Sequence, residues 1–74
     1  MKYLYQLNVG ESAVIDKIES FSTMRQRFFD IGLIENTTVT CVAKSPAGDP
    51  KAYLIRGAVI AIREEDAADI VIKE

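Results

Sequence analysis

Hydrophobic residues follow two different periods along the first half of the chain. In "SAVIDKIES" the β-branched residues alternate loosely with charge, as a half-exposed strand should. From Met24 the spacing changes. Met24, Phe28 and Ile31 stand at i, i+4 and i+7, which draws one apolar stripe along a helix. Ser22 offers a hydroxyl to cap the first turn. Gly32 falls where helices end in a left-handed residue, and Leu33 beyond it is placed to fold back on Phe28, the Schellman arrangement. A helix of about nine residues does not survive alone, so it must pack on a sheet.

The period of two then returns. "IENTTVTCVAK" reads as a turn into a strand, with Val39, Cys41 and Ala43 facing the core and Thr38, Thr40, Val42 and Lys44 facing away. "SPAGDP" is a loop, and "KAYLIRGAVIAI" is two strands joined at Arg56-Gly57, hence a hairpin. "REEDAADIVIKE" supplies one polar helical turn and a last strand with Ile70 and Ile72 on one face. The leader "YLYQLNVGES" brings Leu4, Leu7 and Val9 up to a turn at Gly10. Five short strands with one helix after the first predict a mainly β fold with a short inserted helix, a small SH3-like antiparallel β-barrel. Closure would hide the sheet edges. The pattern spans 1–74 as a single domain.

Composition narrows the chemistry. At 49% hydrophobic and 27% charged, the 74 residues belong to a folded domain. One cysteine and no histidine exclude an internal disulfide, a histidine-containing zinc site and a Ser-His-Asp triad. Cys41 sits in an apolar alternation with no base to activate it, and reads as a small core residue. Glu64, Glu65, Asp66 and Asp69 read as a solvated turn with acids near a helix N-terminus rather than a cation site. No cofactor, metal or catalytic set is therefore expected, and the chain is not read as an enzyme. A net charge of −2 argues against a nucleic-acid partner. Apolar runs such as "AVIAI" fall far short of the roughly 20 residues of a membrane helix. With no visible targeting signal, the expected compartment is the cytoplasm.

The stretch "MRQRFFDIGL" carries more than the core needs. At 100° per residue, Phe29 falls off the apolar stripe, beside Arg25. Such a phenylalanine is either covered by a neighbouring segment or offered to a partner. Arg27 and Asp30, at i and i+3, are spaced for a modest surface pair. Tyr53 and Arg56 lie on the hairpin. SH3-like barrels hold peptides against aromatic-lined grooves, which makes Arg25, Phe29, Tyr53 and Arg56 the candidate partner-binding residues.

The succession "MRQRFFDIGLIENTTVTCV", "SPAGDP" and "IRGAVIAIREEDAADIVI", behind a leader "LNVGES", resembles the FeoA family, ferrous iron transport protein A of bacteria. Two departures stand out: Glu35-Asn36 where family members commonly carry Pro-Gly, asparagine being the next-best residue for the left-handed position this implies, and Ala58 where many have an aromatic residue. The resemblance implies an SH3-like barrel and a small cytosolic accessory protein of ferrous iron uptake. The implied partner is the cytosolic region of FeoB, the iron permease with a guanine-nucleotide-binding domain. Docking there would modulate transport or the GTPase cycle, and a sharper version makes Arg25 or Arg27 a finger towards the bound nucleotide. An alternative is an SH3-like regulatory module that binds an iron-dependent transcription regulator. Self-association through exposed Tyr3, Tyr5 or Val71 stays open.

Overall fold

The computed structural model describes residues 2–19 and 23–73, the side chains of residues 23–25 apart. In chain order the elements are β1 (Lys2–Tyr3), a 3-10 turn (Leu4–Gln6), β2 (Ser12–Ile18), α1 (Thr23–Asp30), β3 (Thr38–Lys44), β4 (Lys51–Ile55), β5 (Ala58–Ile62), α2 (Glu64–Ala67) and β6 (Ile70–Ile72). The proposed cap Ser22 lies outside the described residues.

All six strands join one antiparallel sheet in the order β1-β6-β2-β3-β4-β5. The additional strand relative to the sequence pattern is β1, two residues paired with β6 as Lys2↔Ile72 and Tyr3↔Val71. Among the described residues β1 and β5 do not pair, so the sheet is not closed into the expected barrel. It nonetheless bends around one core. Ile15 of β2, Val39 and Cys41 of β3, Tyr53 and Ile55 of β4, Ile62 of β5, and Ile70 and Ile72 of β6 all belong to a single buried cluster, with Leu4, Leu7, Phe28 and Leu33. Burying each large aliphatic side chain is worth about 1.5–3 kcal/mol, so this one cluster is what holds so small a domain.

The open side of the sheet is bridged by a side chain. Lys51 Nζ, at the start of β4, donates to the carbonyls of Tyr5 (2.6 Å) and Leu7 (2.8 Å) at the end of the 3-10 turn. This ammonium supplies two of the contacts that a strand pairing would otherwise make. Beside it the rings of Tyr3 and Tyr5 stack at 6.3 Å.

Two irregularities redirect side chains. In β3 the register shifts between Cys41, opposite Tyr53, and Ala43, opposite Ala52. The bulge at Val42 interrupts the alternation, and Ala43 is exposed rather than facing the core. In β2 a second shift between Ile15 and Lys17 leaves Asp16 and Lys17 both exposed. The last strand departs from expectation in the other sense. Val71, read as exposed, is buried along with Ile70 and Ile72, because β6 runs between β1 and β2 instead of along an edge. Cys41 is a free, buried thiol.

The loop after β3 has a task beyond turning. Asp49 Oδ1 accepts the Glu64 backbone N–H at 2.8 Å, so a carboxylate remote in sequence satisfies a free donor at the start of α2. Among the described residues, no helix is long and apolar enough to cross a membrane.

Candidate interaction surface

The end of α1 forms as its sequence requires. Leu33 N–H bonds the Phe28 carbonyl at 2.8 Å and Gly32 N–H bonds that of Phe29 at 3.0 Å, the paired bonds of a Schellman cap. Gly32 has φ +87°, the left-handed conformation that a side chain resists. Its carbonyl is then met from two directions. Thr37 Oγ1, in a side chain that is 6% exposed, donates to it at 3.4 Å, and Arg56 Nε donates at 3.0 Å.

Arg56 reaches that carbonyl because of the turn it occupies. Ile55 pairs with Ala58, leaving Arg56 and Gly57 as a two-residue loop with φ of 49° and 85°. Two successive positive φ values define the type I′ turn, whose twist suits a hairpin. The Arg56 side chain lies so close to the helix end that a Cβ on Gly32 would sit 2.6 Å from Arg56 Cδ. A cation at the carbonyl end of a helix also complements its dipole.

Phe29 lies on one flank of α1. It is 61% exposed and lines a shallow groove of about 230 Å³ with Ile18, Ile34 and Glu35. Of the two readings of this ring, cover by a neighbouring segment does not hold. On the other flank Arg27 and Ile31 face β5 across a second groove, of about 370 Å³, walled by Ile60, Arg63 and Asp66. The carboxylate of Asp30, expected to pair with Arg27, accepts from Gln26 Nε2 at 3.1 Å.

The candidate residues thus fall into different settings. Phe29 is exposed, and Arg56 is exposed with its Nε engaged at Gly32. Tyr53 is 1% exposed and packs in the core, so it offers no surface to a partner. β4 turns it inward with Ile55, while Leu54 between them points out. Burial pushes its phenol up to about 12, helped by the nearby Cys41, Asp49 and Glu64. Arg25 belongs to α1, and its side chain lies outside those described. Lys51 and Thr37 were not singled out from the sequence, because a lysine in a strand and a threonine in a turn carry no signal of what they will bond. The left-handed Asn36, with φ 70°, was; its Oδ1 accepts from Lys73 Nζ at 2.9 Å.

The sequence model of the FeoA domain matches residues 2–74. The chain is 34% identical over 70 residues to the Fe(2+) transport protein A/Fe(2+) transporter FeoB fusion protein of Porphyromonas gingivalis. That match takes in 95% of this chain and 8% of the fusion protein, so the chain spans a small part of that relative. Among solved structures, the FeoA-like protein of Clostridium acetobutylicum superposes with a TM-score of 0.87 at 27% identity, over 99% of this chain and 87% of that one. The zinc complex of FeoA from Stenotrophomonas maltophilia, described as a procaryotic SH3 domain protein, gives 0.87 at 23% identity over 99% and 91%. A manganese-dependent transcriptional repressor shares the fold as well, with a TM-score of 0.84 at 17% identity over 96% of this chain and 40% of the repressor.

Proposed function

This chain belongs to the FeoA family, and from that premise we propose that it is a cytoplasmic accessory protein of ferrous iron uptake, without catalysis of its own, that docks on the cytosolic region of a FeoB-type permease and modulates its transport or GTPase cycle. The observation that carries this reading is the fusion relative. In it, a segment 34% identical to nearly the whole of this chain is joined to an Fe(2+) transporter FeoB in one polypeptide, and a domain tethered to its partner acts at a high effective concentration. The SH3-like fold fits the role, since such sheets commonly present grooves to peptides. We read the unclosed side of the sheet, bridged by Lys51, as the seam of an SH3-like barrel.

Within this reading the docking face is the Phe29 flank of α1. An exposed ring beside Ile18 and Ile34 is the kind of aromatic anchor that dominates binding energy. Arg25, on the same helix, and Arg56, at the helix end, are the cations proposed to accompany it. The test is a calorimetric titration against the cytosolic domain of the permease, with GDP and then with a GTP analogue. Saturable binding that changes with the nucleotide, and that Phe29→Ala weakens at least about tenfold, supports docking through this flank. Binding untouched by Phe29→Ala moves the face elsewhere. GTPase rates unchanged by Arg25→Ala and Arg27→Ala remove any direct role of these arginines at the nucleotide.

A second reading has the fold similarity to the manganese-dependent repressor in its favour: a regulatory module that binds an iron-dependent transcription regulator. Co-purification with such a regulator, and no heat with the permease domain, would favour it.

A further inference from the structure

We propose that the free edge of β5 takes up an extended, acidic peptide as an added strand, seated along the groove between β5 and α1. The inference does not depend on the permease reading, because it concerns the flank of α1 opposite Phe29.

The hairpin fixes which backbone groups are free. With Ile55 opposite Ala58 across a two-residue turn, Ala58, Ile60 and Ile62 exchange bonds with β4, so the N–H and C=O groups of Val59 and Ala61 point away from the sheet. β5 is the last strand of the sheet, and among the described residues no other backbone bond reaches Val59 or Ala61. The free edge ends at Arg63, whose carbonyl is taken by the Asp66 and Ala67 N–H groups.

An edge of this kind is normally defended by charge, proline or a cover. "AVIAI" has neither charge nor proline, and Val59 is 63% exposed. Alongside it runs the groove of about 370 Å³ with an apolar floor from Phe28, Ile31, Ile60 and Ile62. Main-chain bonds along the edge with alternate side chains set into a groove are the two elements of strand addition.

The charges select the occupant. Arg27 on the α1 wall and Arg63 on the β5 wall flank the apolar floor, against a single acid, Asp66. Glu64 lies on the other side of α2, against Asp49 and Tyr53. Carboxylates flanking an apolar residue on one face of an extended peptide match both guanidinium groups.

The test is an NMR titration of amide resonances, at low salt, with a capped peptide of about seven residues that carries glutamate, valine and glutamate at its second, fourth and sixth positions, hence on one face, and threonine between them. Three comparisons accompany it: a lysine–valine counterpart, the glutamate peptide N-methylated at alternate residues, and the variants Val59→Pro and Arg63→Ala. Proline at position 59 removes a donor that faces away from β4, so the hairpin bonds are kept. The expected result is saturable shifts centred on Val59 and Ala61. The lysine peptide should bind about tenfold more weakly, as loss of charge-assisted bonds implies. Arg63→Ala should bring a loss of about fivefold, and N-methylation or Val59→Pro should abolish binding. Should Val59→Pro fail to fold, the N-methylated peptide decides the same point on the unaltered protein. Silence at Val59 and Ala61, equal affinity for the two charge types, or full binding of the N-methylated peptide overturns the proposal. So do concentration-dependent shifts at these amides without peptide, which would assign the edge to a second copy.

Discussion

Arg56 Nε donates to the Gly32 carbonyl at 3.0 Å, tying the β4–β5 turn to the end of α1 across 24 positions of sequence. Both residues hold left-handed backbones, and each is where it is partly because of the other. The helix end and the hairpin tip are therefore one structural unit.

That coupling is measurable. Gly32→Ala should cost about 1 kcal/mol for the left-handed backbone alone. It should cost about 1 kcal/mol more because the new Cβ meets Arg56 Cδ and displaces the side chain. In an Arg56→Ala background the second part vanishes. A double-mutant cycle by urea denaturation should return a coupling of about 0.5–1 kcal/mol. Strict additivity would mean that Arg56 holds nothing at the helix end.

Lys51→Met keeps the length of the stem but removes both bonds to the 3-10 turn. A loss of about 2 kcal/mol is expected, as for hydrogen bonds from a charged donor. Hydrogen exchange should quicken first in β1 and the 3-10 turn, not in β3 and β4. Uniform acceleration across the sheet would show that the lysine does not act locally.

Tyr53 gives the fold an alkaline limit. Its phenol titrates near 10 when unfolded and is pushed to about 12 in the core, chiefly by burial. Above pH 10 the unfolded chain gives up this proton before the folded one does, so stability falls as pH rises from about 10 towards 12. Tyr53→Phe should flatten that decline relative to the parent protein in thermal melts, while leaving melts at neutral pH little changed. Parallel alkaline declines in the two proteins would count against a raised Tyr53.

Phe29→Ala should change stability by less than about 0.5 kcal/mol, since the ring is 61% exposed. A parallel Phe28→Ala, at 3% exposure, should cost about 3–5 kcal/mol. Neighbouring phenylalanines with opposite responses would separate the role at the surface from the role in the core.

What could be read from the chain was whatever depends on residues near one another in sequence. The Schellman end at Gly32, the turn at Arg56-Gly57 and the left-handed Asn36 each follow from a local backbone demand that few residues satisfy. Alternation failed where a bulge altered it, and so Ala43 was assigned inward. Val71 was misplaced because strand order decides whether a strand is an edge, and order is a long-range property. Tyr53 looked available because an aromatic on a hairpin has an even chance of either face until the register is fixed. Asp49 could be read as a turn residue, but its cap on Glu64 joins positions 15 apart along the chain. The proposed surface divides in the same way. Phe29 was legible from helical angles alone, while the groove beside β5 exists only once α1 has packed against the far end of the sheet.

The pairing of Lys2 with Ile72 has an architectural consequence. The first and last strands lie side by side, so the domain is attached to any longer polypeptide at a single corner. Like a key on a ring, it can hang from a much larger protein without its sheet being threaded through. For the same reason, a circular permutant that joins residue 73 to residue 2 through a short linker, and opens the chain between Pro46 and Gly48, should keep this fold.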